Sequence, residues 1–380
     1  RALLKATTAG FGYLAFQASA GEMDGNTLVN LATGLFILPF FLFSATAGQI
    51  GDKYEKSGLI RFYKAAEIAL MLGAAAALVF RDLWSLLALL FLMGAQSAFF
   101  GPVKYGILPQ HLKETELVGG NALVESGTFL SILGGTILGG ALVAMPGMGL
   151  NVVAIVVVVL AVAGYAASRG IPEAPATSPG LRIDVNPLTE TWRNFRFTQQ
   201  NRTVFLSILG ISWFWFCGAV YLAQLPQYTR LVLGGNEAVV TLLLTLFSAG
   251  IGLGALLCER LSGHKVEIGL VPFGSIGLTL FGVDLFFAVP AAASASGLGI
   301  DGFLALPYGW RVMADVVLIG MFGGFFIVPL YALVQSRSEK AHLSRIIAGN
   351  NVLNALFMVV ASLFAIAALS GGLTIPQLFL

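Results

Sequence analysis

The sequence predicts an all-α membrane protein built from two six-helix bundles, and three observations carry that reading. The 380 residues are 57% hydrophobic and only 11% charged, with a mean hydropathy of +0.86, whereas a soluble domain carries about 25% charged residues. The apolar residues gather into runs of the length a helix needs to cross a bilayer, about 20 residues. The basic residues favour every second connecting loop, as they do when alternate loops face opposite sides of a membrane.

In chain order, spans are expected near 1–20, 27–47, 62–80, 84–103, 121–145, 150–169, 203–225, 238–258, 268–290, 311–334 and 350–370. The first holds Arg1 and Lys5 and is short, and a last span opens near Thr374 and is cut off, so both ends read as truncated. Eleven visible spans and the interrupted one make twelve. Sixteen Lys and Arg residues, from Lys53 and Lys56 through Arg193 and Arg196 to Arg345, fall on one side, against Arg81, Arg230 and Arg311 on the other. The richer side is therefore expected in the cytoplasm. The longest loop, Gly170 to Asn201, is rich in Pro and polar residues, follows the sixth span and falls on that same side. The expected division is residues 1–170 as the N-terminal bundle, 171–201 as a cytoplasmic linker and 202–380 as the C-terminal bundle.

The halves repeat. GQIGDKYEKSGLIR, Gly48 to Arg61, follows the second span, and GALLCERLSGHK, Gly254 to Lys265, follows the eighth. Each sets a Gly, then an acid (Asp52, Glu259), then a base (Lys53, Arg260). Gly120-Asn121 after the fourth span matches Gly349-Asn350 after the tenth. The first pair of markers is offset by 207 residues and the second by 229, so 22 extra residues lie between them, for which Ala291 to Trp310 has room. Two parallel six-helix repeats suit a carrier whose substrate site lies where the halves meet.

Other chemistries find little support. Cys217 and Cys258 sit in apolar segments without a CxxC pattern, and His111, His264 and His342 sit in short polar loops, read as solvated rather than metal-bound. No signal peptide, nucleic-acid signature, Ser-His-Asp set or HxxxxD pair stands out. The expectation is a carrier, not an enzyme, with no cofactor and no nucleic-acid partner.

Ionisable residues inside spans are costly and usually face the bundle interior. Lys104, just after Pro102, either snorkels to head groups or contacts a phosphate. Glu125, a few residues into the fifth span, either makes a structural ion pair or meets an ammonium group. Together they offer one cation and one anion to a substrate. By the repeat, Glu125 corresponds to Asn354, Asn121 to Asn350, and Lys104 falls near Tyr331, so the charges belong to the first half alone. Asp284 and Asp315 near the other side either pair with Arg311 or couple to a cation. Lys64 and Glu67 are expected to pair. Asp52 is expected to cap a neighbouring helix and pair with loop bases, making Gly48, Asp52, Lys53, Glu259 and Arg260 candidate gate residues. The Phe residues of SWFWF and GMFGGFF either line a route for an apolar part of the substrate or pack against neighbours.

GQIGDKYEKSGLIR resembles the loop motif G-x-x-x-D-[RK]-x-G-[RK] of the major facilitator transporters. The runs QSAFFGPVKYGILPQHLKETELVGGNALVESGTFLSILGGTILGG and GGFFIVPLYALVQSRSEKAHLSRIIAGNN resemble bacterial lysophospholipid transporters of that superfamily. The resemblance covers most of the chain. It implies a major facilitator fold that flips lysophosphatidylethanolamine, and lysophosphatidylglycerol as a second substrate, inward across a bacterial inner membrane. It implies a monomeric transport unit among membrane lipids and a fused or associated cytoplasmic acyltransferase. Gln96, Asn121, Gln224, Asn350 and Asn354 join Lys104 and Glu125 as candidate substrate contacts. Polyspecific proton-coupled efflux is the competing function. The family's first-span Asp-Asn pattern would stand before Arg1, and the arginine some members carry in span seven is absent, leaving Gln224 as the most polar residue there.

Overall fold

The computed structural model describes residues 25–143, 145–263, 265–288 and 297–380. The span expected near 1–20 and the loop histidine His264 lie outside the described residues. Among the described residues, ten helices are long and apolar enough to cross a membrane. They are α1 (Gly25–Lys53), α2 (Lys56–Phe80), α3 (Leu83–Gly106), α4 (Leu117–Val143), α5 (Gly149–Ser168), α7 (Arg202–Gln227), α8 (Glu237–Leu261), α9 (Leu270–Phe287), α10 (Pro307–Arg337) and α11 (Leu343–Ser370), with α6 (Pro187–Gln200) a shorter helix between α5 and α7. These correspond one for one to the ten spans expected between residues 27 and 370. In hydrocarbon every backbone polar group needs an internal partner, which a helix provides by itself.

Local chemistry sets the boundaries. Asp82 accepts N–H bonds from Trp84 and Ser85 and starts α3, and Asn236 does the same for α8 through Ala238 and Val239. Asn201 caps α7 through Thr203 and Val204. Such caps satisfy donors that a helix start otherwise leaves open. Near the expected opening of a last span, Thr374 caps a short helix, Ile375–Phe379, with Gln377 reaching back.

Contacts group the chain into two compact units. The first takes the described residues up to His111, with Gly134–Phe205 and Arg337–Ala355. The second takes Leu112–Leu133, Leu206–Ser336 and Leu356–Leu380. In the first unit, α1 packs along α3, and α2 packs on α3 and α5. Met71, Leu78, Leu86, Leu90, Val153 and Val157 form the core there.

In the second unit, α8 and α10 cross at a glycine seam. A Cβ on Gly254 would overlap the Met321 carbonyl oxygen, and one on Gly324 would overlap the Ala255 nitrogen. Gly250 and Gly320 meet Val317 and Phe247 in the same manner. Each helix thus offers a small-xxx-small pair, the device that lets membrane helices approach closely where no hydrophobic effect drives them together.

Two segments carry structure beyond the expected spans. Within the expected linker, residues 171–186 form a tied strap, and α6 follows it. Lys56 N donates to Ala174 O at 2.9 Å, Ser178 N to Asp52 O at 2.8 Å, and Gln49 exchanges two bonds with the Asp184 backbone. Helix α6 hides from an apolar-periodicity search because its buried stripe is polar: Glu190, Asn194 and Thr198. The second is Gly297–Leu306, inside the segment that has room for the repeat's extra length. Leu298 N donates to Gly234 O, Asn236 N donates to Leu298 O, and the short helix Ile300–Leu304 buries Phe303.

Candidate functional site

In the first unit, α1 ends against the start of α11. A Cβ on Gly48 would stand 2.7 Å from Ala348 Cβ and 2.8 Å from Arg345 Cα, so this approach needs glycine. Its consequence is four residues on. The fully buried Asp52 accepts Ser344 N at 2.9 Å through Oδ1, and Arg345 Nε at 3.0 Å through Oδ2. An anion at a helix N-terminus meets unpaired N–H groups and the positive end of the macrodipole. Asp52 therefore both caps α11 and neutralises Arg345, as expected of the acid. Arg345 also donates to Ala341 O and lies 5.1 Å over the Phe197 ring. The ammonium of Lys56 is buried beside this group, and Lys53 turns away over Tyr54.

The strap is fastened by Glu55, which accepts N–H bonds from Ser57, Gly58 and Ala174. Burial pushes this carboxyl up, but the Ser57 hydroxyl and the three backbone donors outweigh it and hold the pKa at about 2. Glu190 on α6 moves the other way: burial raises it, and Arg193 beside it offsets only part of the rise.

The second unit holds the counterpart of the Asp52 contact. Gly119, in the first turn of α4, faces the carboxylate of Glu259 from α8 so closely that a Cβ would collide with it. Glu259 is half-buried, and Arg260 beside it is exposed. Each repeat acid thus approaches the first turn of a helix from the other half of the sequence, α11 for Asp52 and α4 for Glu259.

The candidate substrate contacts are spread over both units. Lys104, half-buried in the last turn of α3 and 4.9 Å over Tyr105, belongs to the first unit, and the fully buried Glu125 on α4 belongs to the second. Gln96 joins Glu67 at 3.2 Å and Tyr63 O at 3.3 Å, and Glu67 pairs with Lys64 at 2.8 Å, the pairing expected of those two. Asn121 is buried and exchanges two amide bonds with Gln335 of α10, at 2.6 and 3.1 Å. Asn350 and Asn354 are buried on α11, and Gln224 is half-buried on α7, two residues before Pro226. Asp284 binds Arg311 through both oxygens, at 2.6 and 3.0 Å, and Asp315 is buried nearby. Within the second unit, Trp213, Phe214, Phe216 and Phe326 line a largely apolar cavity of about 450 Å³.

Sequence reasoning missed Gln335, Ser344 and Arg345 as members of these contacts. The available signal was the repeat itself. If Glu259 and Asp52 are equivalent acids, the helix starts they meet are equivalent too, and the offset that matches Gly120 with Gly349 matches Gly119 with Ala348, one turn from Arg345.

Residues 7–372 match the profile of the Major Facilitator Superfamily. The chain is 29% identical over 351 residues to the lysophospholipid transporter LplT of Escherichia fergusonii, covering 90% of this chain and 80% of that protein. It is 31% identical over 311 residues to LplT of Klebsiella pneumoniae, covering 81% and 71%. Among solved structures, the human organic anion transporter MFSD10 superposes with a TM-score of 0.72 at 15% identity, covering 98% of this chain and 85% of that one. The transporter FucP in its outward conformation gives 0.70 at 11% identity, covering 100% and 94%.

Proposed function

The chain belongs to the Major Facilitator Superfamily, and we propose that it carries lysophospholipids across a bacterial inner membrane by alternating access. It is a multi-pass membrane protein of a transporter fold, and its relatives are carriers rather than enzymes. The observation that carries the mechanism is the pair of repeat acids. Asp52 and Glu259 each reach the first turn of a helix from the opposite half of the sequence. Contacts of that kind must break and re-form when halves rock about a central site, which suits Gly48, Asp52, Lys53, Glu259 and Arg260 to a gate. The relatives' printed names supply the substrate class.

In this reading the head group is lysophosphatidylethanolamine, with lysophosphatidylglycerol as a second substrate, moved inward. Lys104 meets the phosphate and Glu125 the ammonium, while Gln96, Asn121, Gln224, Asn350 and Asn354 supply neutral hydrogen bonds. The loops rich in Lys and Arg face the cytoplasm, where an acyltransferase, fused or associated, re-acylates the product. The transport unit is a monomer.

The test is uptake of labelled lysophosphatidylethanolamine into spheroplasts by wild type, Lys104→Ala and Glu125→Ala at matched expression. Uptake by wild type and loss of most of the rate in both variants supports the charged pair as the head-group contact. Uptake undiminished in the variants keeps the substrate and removes the pair from its path. No wild-type uptake rejects the lysophospholipid reading.

A further inference from the structure

Helix α6 is folded inside out for a surface helix. Its inward stripe is polar, with Glu190, Asn194 and Thr198 all buried. A Cβ on Gly349 of α11 would stand 3.7 Å from both Asn194 Cβ and Thr198 Cγ2. Its outward stripe is apolar and aromatic: Leu188 is 81% exposed and Trp192 59%, with Val185 exposed just before the helix. In water such a face is a liability.

Charge and position both identify what covers it. Arg193 and Arg196 are exposed on α6, and Arg202 is exposed two residues beyond it. The helix's one acid, Glu190, is buried and paired with Arg193. Arg196 lies 5.7 Å over the Trp192 ring, so a cation and an indole are presented together. Only Asn201 separates α6 from the membrane-crossing α7, and the Phe195 ring meets that of Phe205, one turn into α7, at 5.7 Å. The outward face of α6 is therefore level with the first turn of a span. Apolar and aromatic residues flanked by arginine at that height suit the head-group layer, where Trp settles and basic side chains meet anionic lipid.

We propose that α6 is an interfacial helix that seats Leu188 and Trp192 among the head groups of an anionic leaflet, with Arg196 and Arg202 on lipid phosphates. Its inner face holds the ends of α1 and α11, so the lipid surface bears on the strap beside the Asp52–Arg345 contact. This rests on membrane insertion alone and stands whatever the substrate proves to be.

The test uses the full chain in nanodiscs of phosphatidylcholine, with and without phosphatidylglycerol. Trp192 emission is isolated as the difference between wild type and Trp192→Phe. The expected result is quenching by brominated lipid, several-fold stronger with phosphatidylglycerol, and protection from aqueous iodide. Arg196→Gln/Arg202→Gln, which leaves the Arg193–Glu190 pair in place, should lose the dependence on phosphatidylglycerol. Two results would overturn the proposal: iodide quenching of Trp192 without quenching by brominated lipid in either disc, or equal lipid quenching in both discs.

Discussion

The Asp52 carboxylate accepts the Arg345 guanidinium at 3.0 Å and the Ser344 backbone N–H at 2.9 Å, so one buried acid serves as both helix cap and counter-ion. Asp52→Asn keeps a capping oxygen but leaves a buried cation without its charge. Breaking one partner of a buried pair typically costs about 3–5 kcal/mol. Thermal unfolding of the purified protein should show a fall in Tm for Asp52→Asn and for Arg345→Gln. The double variant should lose less than the sum of the two, because both remove one interaction. Additive losses would mean that the residues act independently.

The seam of α8 and α10 makes a second prediction. Gly254 and Gly324 each face backbone atoms of the other helix, which cannot yield as a side-chain tip would. Gly254→Leu should push the helices apart and lower Tm more than Gly218→Leu, since nothing stands within 4 Å of a Cβ at Gly218. Equal losses at the two positions would show that helix propensity, rather than close approach, sets the cost.

The long helices were legible because one property, an unbroken apolar run, decides them. That is why all ten spans from α1 to α11 stand near their expected places. The Asp52 cap was legible too, because an acid placed after a span has few partners other than a helix start. Its partner was not, because Arg345 lies 293 residues away and nothing local to SRIIAGNN points back to α1. Helix α6 was missed for a different reason. Its buried face is polar and lies close to Gly349, so its apolar residues mark the outside, against the usual rule. Gln335 illustrates the general limit: a neutral amide near a helix end reads as solvated until its partner, Asn121, is seen across 214 residues.

That amide pair can be tested directly. Asn121 and Gln335 exchange two bonds in a buried setting. Removing one partner takes both of these bonds from the other, although Asn121 keeps its bond to Leu117 O; losing a buried partner costs about 1–3 kcal/mol, whereas replacing both with apolar groups of similar shape can be nearly neutral. Gln335→Leu should therefore be less stable than Asn121→Leu/Gln335→Leu in denaturation of the purified protein. A double variant weaker than either single one would show that the amides do more than satisfy each other.

The strap should come loose in acid, and Glu55 sets the window. Its pKa lies at about 2 in the folded protein against 4.5 for an unperturbed side chain. A carboxyl lowered on folding adds stability that is full above the unfolded value and fades as pH falls toward the folded one. The bonds from Ser57, Gly58 and Ala174 to Glu55 should thus weaken between about pH 4.5 and about pH 2. Pepsin works across that range, so cleavage within residues 171–186 reports the release. Wild type should grow more sensitive as pH falls, relative to Glu55→Gln, which cannot ionise and should be cut readily throughout. Indistinguishable cleavage of the two proteins at every pH would mean that the remaining ties, Gln49 to Asp184 and Ser178 to Asp52, hold the strap without Glu55.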